Sequence, residues 1–135
     1  MKSWSERLND PRPHQVKPAS TDIAGMKKGE TMLVPTAKLV DAFIRAIRKG
    51  SSMDVPTLRA RLARRHGAQV TCPITTGFHL RTVAEAAWEA HQRGTPLARI
   101  TPFWRVLDAA TPTTRRLSFG AEVVRRRRAA EGLPD

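Results

Sequence analysis

Residues 54–67 read DVPTLRARLARRHG and residues 75–91 read TTGFHLRTVAEAAWEAH, and the relation between these two stretches decides the fold. In the first, Asp54 can cap a helix, Pro56 falls in the first turn where its missing N–H is harmless, and Gly67 supplies the stop. Val55, Leu58 and Leu62 line the inner side, while Arg59, Arg61, Arg64 and Arg65 occupy the outer one. In the second, Thr75 or Thr76 opens a helix running to about His91, with Leu80, Val83, Ala84, Ala87 and Trp88 as its buried stripe. The connection from Gln69 to Pro73 is short. Two helices so joined, the second opening with small and polar residues, outline a helix-turn-helix unit.

Working upstream, Leu39, Val40, Phe43, Ile44 and Ile47 fall on one helical face, with Thr36 as N-cap and Gly50 just past the end. Residues 1–31 carry Pro11, Pro13, Pro18, lysines and small polar residues with no apolar period, which predicts a flexible basic arm. Downstream, Gly94 and Pro96 break the chain, and Ile100 to Leu107 is too short and Pro-interrupted for a helix. Ala109 to Arg116 reads as an exposed turn or wing, around which one or two short strands can pair. A last helix follows Gly120 and ends near Gly132. The expectation is a mainly α, winged helix-turn-helix-like fold over residues 32–135, preceded by a disordered arm over residues 1–31.

The 135 residues hold 24 Lys and Arg against 12 Asp and Glu, a net charge of +12. With a pI of about 11.5, this balance points to a polyanionic partner, nucleic acid first. No apolar stretch approaches 18 residues and the start lacks the apolar core of a signal peptide, so a cytoplasmic address and no membrane partner are expected. Cys72 is the single cysteine, which excludes an intramolecular disulfide. His14, His66, His79 and His91 are scattered without metal-ligand spacing, so neither metal nor cofactor is expected. Cys72 itself keeps two readings: a thiol of lowered pKa beside a helix N-terminus, able to accept an alkyl group, or a small buried hydrophobe.

The run Gly50 to Gly132 resembles the C-terminal DNA-binding domain of methylated-DNA protein-cysteine methyltransferases and their alkyltransferase-like relatives. Where that family reads Ile-Pro-Cys-His-Arg-Val, this chain has Thr101, Pro102, Phe103, Trp104, Arg105 and Val106. Arg81-Thr82-Val83 lies where the family's recognition helix carries Arg-Ala-Val, and Glu131-Gly132 where its final helix ends in Glu-Gly. Cys72 to Gly77 is similar to a subgroup lacking the acceptor cysteine. Dealkylation needs a thiolate activated by a neighbouring histidine that a carboxylate orients. Phe103 and Trp104 replace the first two groups, so no alkyl transfer is expected at those positions, and Glu131 is left to cap or to pair with an arginine. The family's amino-terminal domain has no counterpart in residues 1–31.

The resemblance implies that the second helix of the unit enters the minor groove of double-stranded DNA, with Thr75, Thr76 and Gly77 against phosphate. Arg81 matches the arginine that relatives insert into the base stack when a nucleotide is turned outward. Its bland alternative is a solvated arginine paired with Glu85 at i, i+4. Phe103 and Trp104, flanked by Pro102 and Arg105, are expected either to wall a base pocket or to sit in the core. Arg59, Arg61, Arg64 and Arg65, with Lys49 nearby, suit phosphate contacts that carry no sequence information. Arg125 to Arg128 covers every side of a helix, so some of the four must reach solvent. Three readings follow: a non-catalytic sensor of alkylated or distorted bases with a repair-protein partner, a general DNA-binding regulator or architectural protein, and a Cys72-dependent alkyl acceptor. RNA remains open as a partner, since arginine strips do not read 2′-hydroxyls by themselves.

Overall fold

The computed structural model describes residues 2–135. Five helices, α1 (Trp4–Leu8), α2 (Ala37–Arg45), α3 (Val55–Arg65), α4 (Pro73–Gln92) and α5 (Ala121–Ala130), surround one main core, with a small sheet at the side. Helix α4 is the element on which α1 and α2 are laid. Its 20 residues span about 30 Å, and every side chain from Val83 to Ala87 is buried, so neighbours cover it on more than one side. Both α1 and α2 pack against it. Leu58 and Leu62 of α3, Val124 of α5, and Phe103, Trp104 and Leu107 close the same core.

The helix starts follow from local hydrogen bonding. The Thr36 hydroxyl accepts the Leu39 N–H at 3.1 Å and the Asp54 carboxylate accepts the Thr57 N–H at 2.8 Å, satisfying donors that the first turn leaves free. That bond to Thr57 also lowers the Asp54 pKa. Helix α4 begins two to three residues before Thr75 or Thr76, because Pro73 is tolerated at the first helical position and Cys72 acts as N-cap. The Cys72 Sγ accepts the Thr75 N–H at 3.5 Å.

The expected short connection between α3 and α4 contains a strand. Strands β1 (Gln15–Pro18), β2 (Thr31–Val34) and β3 (Val70–Thr71) form a sheet in that order. β1 runs antiparallel to β2, with Gln15 opposite Val34, and β3 runs parallel to it, with Met32 opposite Val70. The sheet thus brackets α2 and α3 between its two parallel strands.

The flexible arm expected over residues 1–31 is corrected for its described part. Ser3 and Glu6 form a reciprocal capping box that starts α1. The Ser5 N–H donates to the Glu89 carboxylate of α4 at 3.3 Å, tying the segment down. Beyond β1, Ala19 and Met26 are buried with Met32 in a second, smaller core. The boundary at residue 31 therefore falls inside β2 and separates it from its antiparallel partner β1. Residues 109–116 form a turn, the first of the two alternatives, and not a wing: Pro112–Arg116 is a 3₁₀ turn with Pro112, Arg115 and Arg116 exposed, and the Thr114 hydroxyl, buried, donates to the Asp108 carbonyl at 2.6 Å. Among the described residues no strand pairs around that turn; the strands lie at the amino-terminal side and before α4. Ile100 to Leu107 forms no α-helix, as expected, and holds a single 3₁₀ turn, Phe103–Arg105. The result is a mainly helical fold with a small mixed sheet. No helix among the described residues is long and apolar enough to cross a membrane.

Candidate nucleic-acid interface

The arginines divide into those that hold the fold and those that leave it. On α3, Arg61, Arg64 and Arg65 are exposed on adjacent turns. Among the described residues none of the three has a carboxylate within ion-pair distance. The Arg65 guanidinium lies over the Phe43 ring at 4.7 Å, which holds the side chain while its N–H edge stays available. Arg59, expected in the same strip, does a different task. Its Nε donates to the Thr71 carbonyl at 3.2 Å, and the Thr71 hydroxyl donates back to the Arg59 carbonyl at 2.7 Å. This clamp joins α3 to β3, and burial lowers the Arg59 pKa.

The positive field survives because the carboxylates are occupied elsewhere. Asp22 and Glu30 accept the backbone N–H groups of Lys28 and Lys27 at 2.7 and 2.5 Å. Asp54 caps α3, and Asp108 closes a turn by accepting from Ala110 and Thr111. Glu85, buried inside the molecule, takes the Ser118 N–H at 2.9 Å and its hydroxyl at 2.5 Å. None of these stands against the arginines of α3.

The four arginines of α5 divide in the way that helical periodicity requires. Arg125 and Arg126 are exposed and pair loosely with Glu122 at 3.7 and 3.5 Å. Arg127 lies over the Trp104 ring at 4.9 Å, and Arg128, only 5% exposed, donates to the carbonyls of Trp104 at 2.6 Å and Pro134 at 2.6 Å. Half of the block is structural.

The expected base pocket is corrected. Phe103 is 0% and Trp104 2% exposed, packed edge to face with ring centres 5.1 Å apart, and Pro102 is buried beside them. Burying two large aromatics stabilises a small domain more than holding them open to solvent. Arg105 is anchored as well: its Nε and Nη2 each donate to the Glu131 carboxylate at 2.9 Å, and Nη1 donates to the Ile47 carbonyl at 2.7 Å. The Trp104 Nε1–H donates to the same carboxylate at 2.8 Å. Desolvation pushes the Glu131 pKa up, but the bonds from Arg105, Trp104 and the Gly50 N–H outweigh it and bring the pKa from its usual 4.5 to about 2.

Arg81 is not a free probe either. Its guanidinium lies 5.2 Å from the Trp4 ring centre and its Nε 3.7 Å from Glu85 Oε2. Arg81, Phe103 and Trp104 therefore do not converge on an open cavity. Of the residues expected against phosphate at the start of α4, Thr75 and Gly77 are partly exposed. Thr76 is fully buried, its hydroxyl donating to the Cys72 carbonyl at 2.6 Å. Cys72 is half-buried.

One feature was not among the sequence expectations. A groove of about 650 Å³ opens between the amino-terminal segment and α4, with Arg7, Arg12 and Lys2 on one side and Phe78 on the other. Phe78 is 64% exposed. Its sequence signal was present: it is an apolar residue that falls off the Leu80, Val83, Ala84, Ala87 stripe.

Compared with known proteins, the chain matches no family model, no curated protein and no solved structure.

Proposed function

We propose that this chain binds nucleic acid, duplex DNA foremost, through phosphate contacts made by Arg61, Arg64 and Arg65 of α3, without base-specific readout. The observation that carries the reading is the exposed arginine face of α3 with no carboxylate against it, in a chain whose net charge is +12. Such a face gives affinity through counterion release and carries no sequence information. General duplex binding is favoured over recognition of alkylated bases, because the aromatic pair meant to receive an extruded base is inside the core. It therefore acts as a regulator or architectural protein in this reading.

Kinship with the methyltransferase DNA-binding domain, and with it the winged helix-turn-helix label, belongs to the same proposal. It is supported by the Thr101 to Val106 run and by Glu131. That carboxylate accepts a ring N–H from Trp104, the residue standing where the family has a histidine.

The test is fluorescence anisotropy on a labelled duplex across 50 to 200 mM salt, a range over which about six to ten phosphate contacts cost roughly 10³ to 10⁵ in affinity. Binding is expected to fall steeply with salt, and Arg61→Ala, Arg64→Ala, Arg65→Ala together should flatten the log–log slope by about 3. Equal affinity is expected for duplexes with and without an alkylated guanine. A preference for the alkylated duplex would restore the sensor reading, and a salt-independent affinity would end the phosphate one. A duplex RNA arm decides between the two nucleic acids.

A further inference from the structure

We propose that the groove between the amino-terminal segment and α4 is a binding site for a mononucleotide unit, a flat base carrying a phosphate. This goes beyond the duplex-binding reading and rests on different residues. At about 650 Å³ the groove falls within the range of ligand pockets, roughly 300 to 1,000 Å³. Its two sides differ chemically in the way such a ligand does.

One side carries an aromatic ring and apolar surface set among Thr36, Thr75, His79 and Thr82. Phe78 is the most exposed large hydrophobic residue among those described, at 64%, and Val34, Pro35 and Ala37 line the same groove. An exposed phenyl ring beside an apolar floor offers a stacking face to a planar ring. The other side is cationic. Lys2, Arg7 and Arg12 contribute, and Asp10 is the one carboxylate lining it. Asp10 pairs with Arg12 and offsets that one charge, which leaves Lys2 and Arg7 as the unbalanced cations: Arg12 Nη2 donates to Oδ2 at 2.7 Å and Nε to Oδ1 at 3.1 Å. The bond from Arg12 lowers the Asp10 pKa to about 2. The Arg12 side chain is 85% exposed, and its Nη1 makes no hydrogen bond among the described residues. Arg7 is held over the Trp4 ring at 4.6 Å. Beside the groove, Pro11 and Pro13 favour extended backbone in the linker from Asp10 to His14.

A phosphate without a ring would engage only the cationic side, and a nucleoside without a phosphate only the aromatic one. A nucleotide engages both. The unit has two sources, a free nucleotide or the 5′-phosphorylated end of a strand, and the experiment separates them.

Isothermal titration of the full chain with deoxyadenosine monophosphate is the test, with adenosine and inorganic phosphate as partial ligands. The nucleotide is expected to bind at least about tenfold more tightly than either part, and Phe78→Ala to weaken it about tenfold, as loss of one stacked base does. Phe78 is exposed, so this variant should keep the wild-type circular dichroism spectrum. Arg7→Gln should bring the nucleotide down towards adenosine while leaving adenosine itself unchanged. A 5′-phosphorylated trinucleotide binding more tightly than both the free nucleotide and its 5′-hydroxyl counterpart assigns the strand end; no gain assigns the free nucleotide. Phosphate alone binding as well as the nucleotide, or Phe78→Ala binding like wild type, overturns the proposal. The two readings fail separately: Arg61→Ala, Arg64→Ala, Arg65→Ala should leave nucleotide binding intact, so a lost nucleotide signal with duplex binding retained counts against the groove alone.

Discussion

On α3, Arg61, Arg64 and Arg65 stand in solvent with no carboxylate within ion-pair distance among the described residues, whereas in the carboxyl-terminal third Arg105 and Arg128 turn inward onto carbonyls and a buried carboxylate. The residue type is the same and the surroundings are opposite. A guanidinium whose donors are all answered inside the fold contributes to stability and little to an external field. One whose donors face water contributes to the field and little to stability. Net charge therefore overstates the surface open to a partner, and the placement of each arginine decides which quantity a mutation moves.

The largest expected effect lies on the inward side. Arg128→Met leaves the Trp104, Leu107 and Pro134 carbonyls without their donor. It should cost roughly 4 kcal/mol of folding stability, read as a lower midpoint in urea, with duplex affinity unchanged while the protein is folded. A loss of affinity without a loss of stability would erase the division between the two groups.

Next comes Glu131→Gln, which removes the charge facing Arg105 and should cost about 2 kcal/mol. The pH dependence sharpens the point. Because the folded pKa of Glu131, about 2, lies below its usual 4.5, its contribution is fully present above about pH 4.5 and is lost as pH falls towards 2. Acid unfolding followed by circular dichroism should show a steeper loss in that window for wild type than for the glutamine variant. Parallel curves would mean that the carboxylate carries no such linkage.

Smallest is Arg81→Ala. With Trp4 over its guanidinium and Glu85 beside it, its removal should change duplex affinity by less than about threefold, well under the loss from three phosphate contacts. A loss as large as that of the α3 triple variant would return α4 to the position of a recognition helix.

What the sequence disclosed follows the strength of its local signals. Helices α2 and α3 were legible because Thr36 and Asp54 cap them and their apolar residues recur at helical spacing. Strand β1 was not, since all four of its residues are exposed and its pairing is made by backbone alone, which leaves no alternation to read. Helix α1 did carry a signal, the Ser3 to Glu6 capping box, but five residues are too few for an apolar period. At the site, the outer face of α3 was readable for Arg61, Arg64 and Arg65. Arg59 was not separable from them, because its partner, the Thr71 carbonyl, belongs to a strand that only the folded sheet places beside α3. Phe103 and Trp104 were open to either reading, and the burial of both is a tertiary outcome that no spacing encodes.

The most direct measurement compares duplex affinity in two variants of equal net charge: Arg61→Glu, Arg64→Glu, Arg65→Glu on α3, and Lys27→Glu, Lys28→Glu, Arg126→Glu, exposed elsewhere. If the α3 face is the contact surface, the first variant loses about 100-fold or more and the second only a small part of that. Equal losses in the two would mean that net charge alone draws the chain to its partner, and that α3 holds no special place.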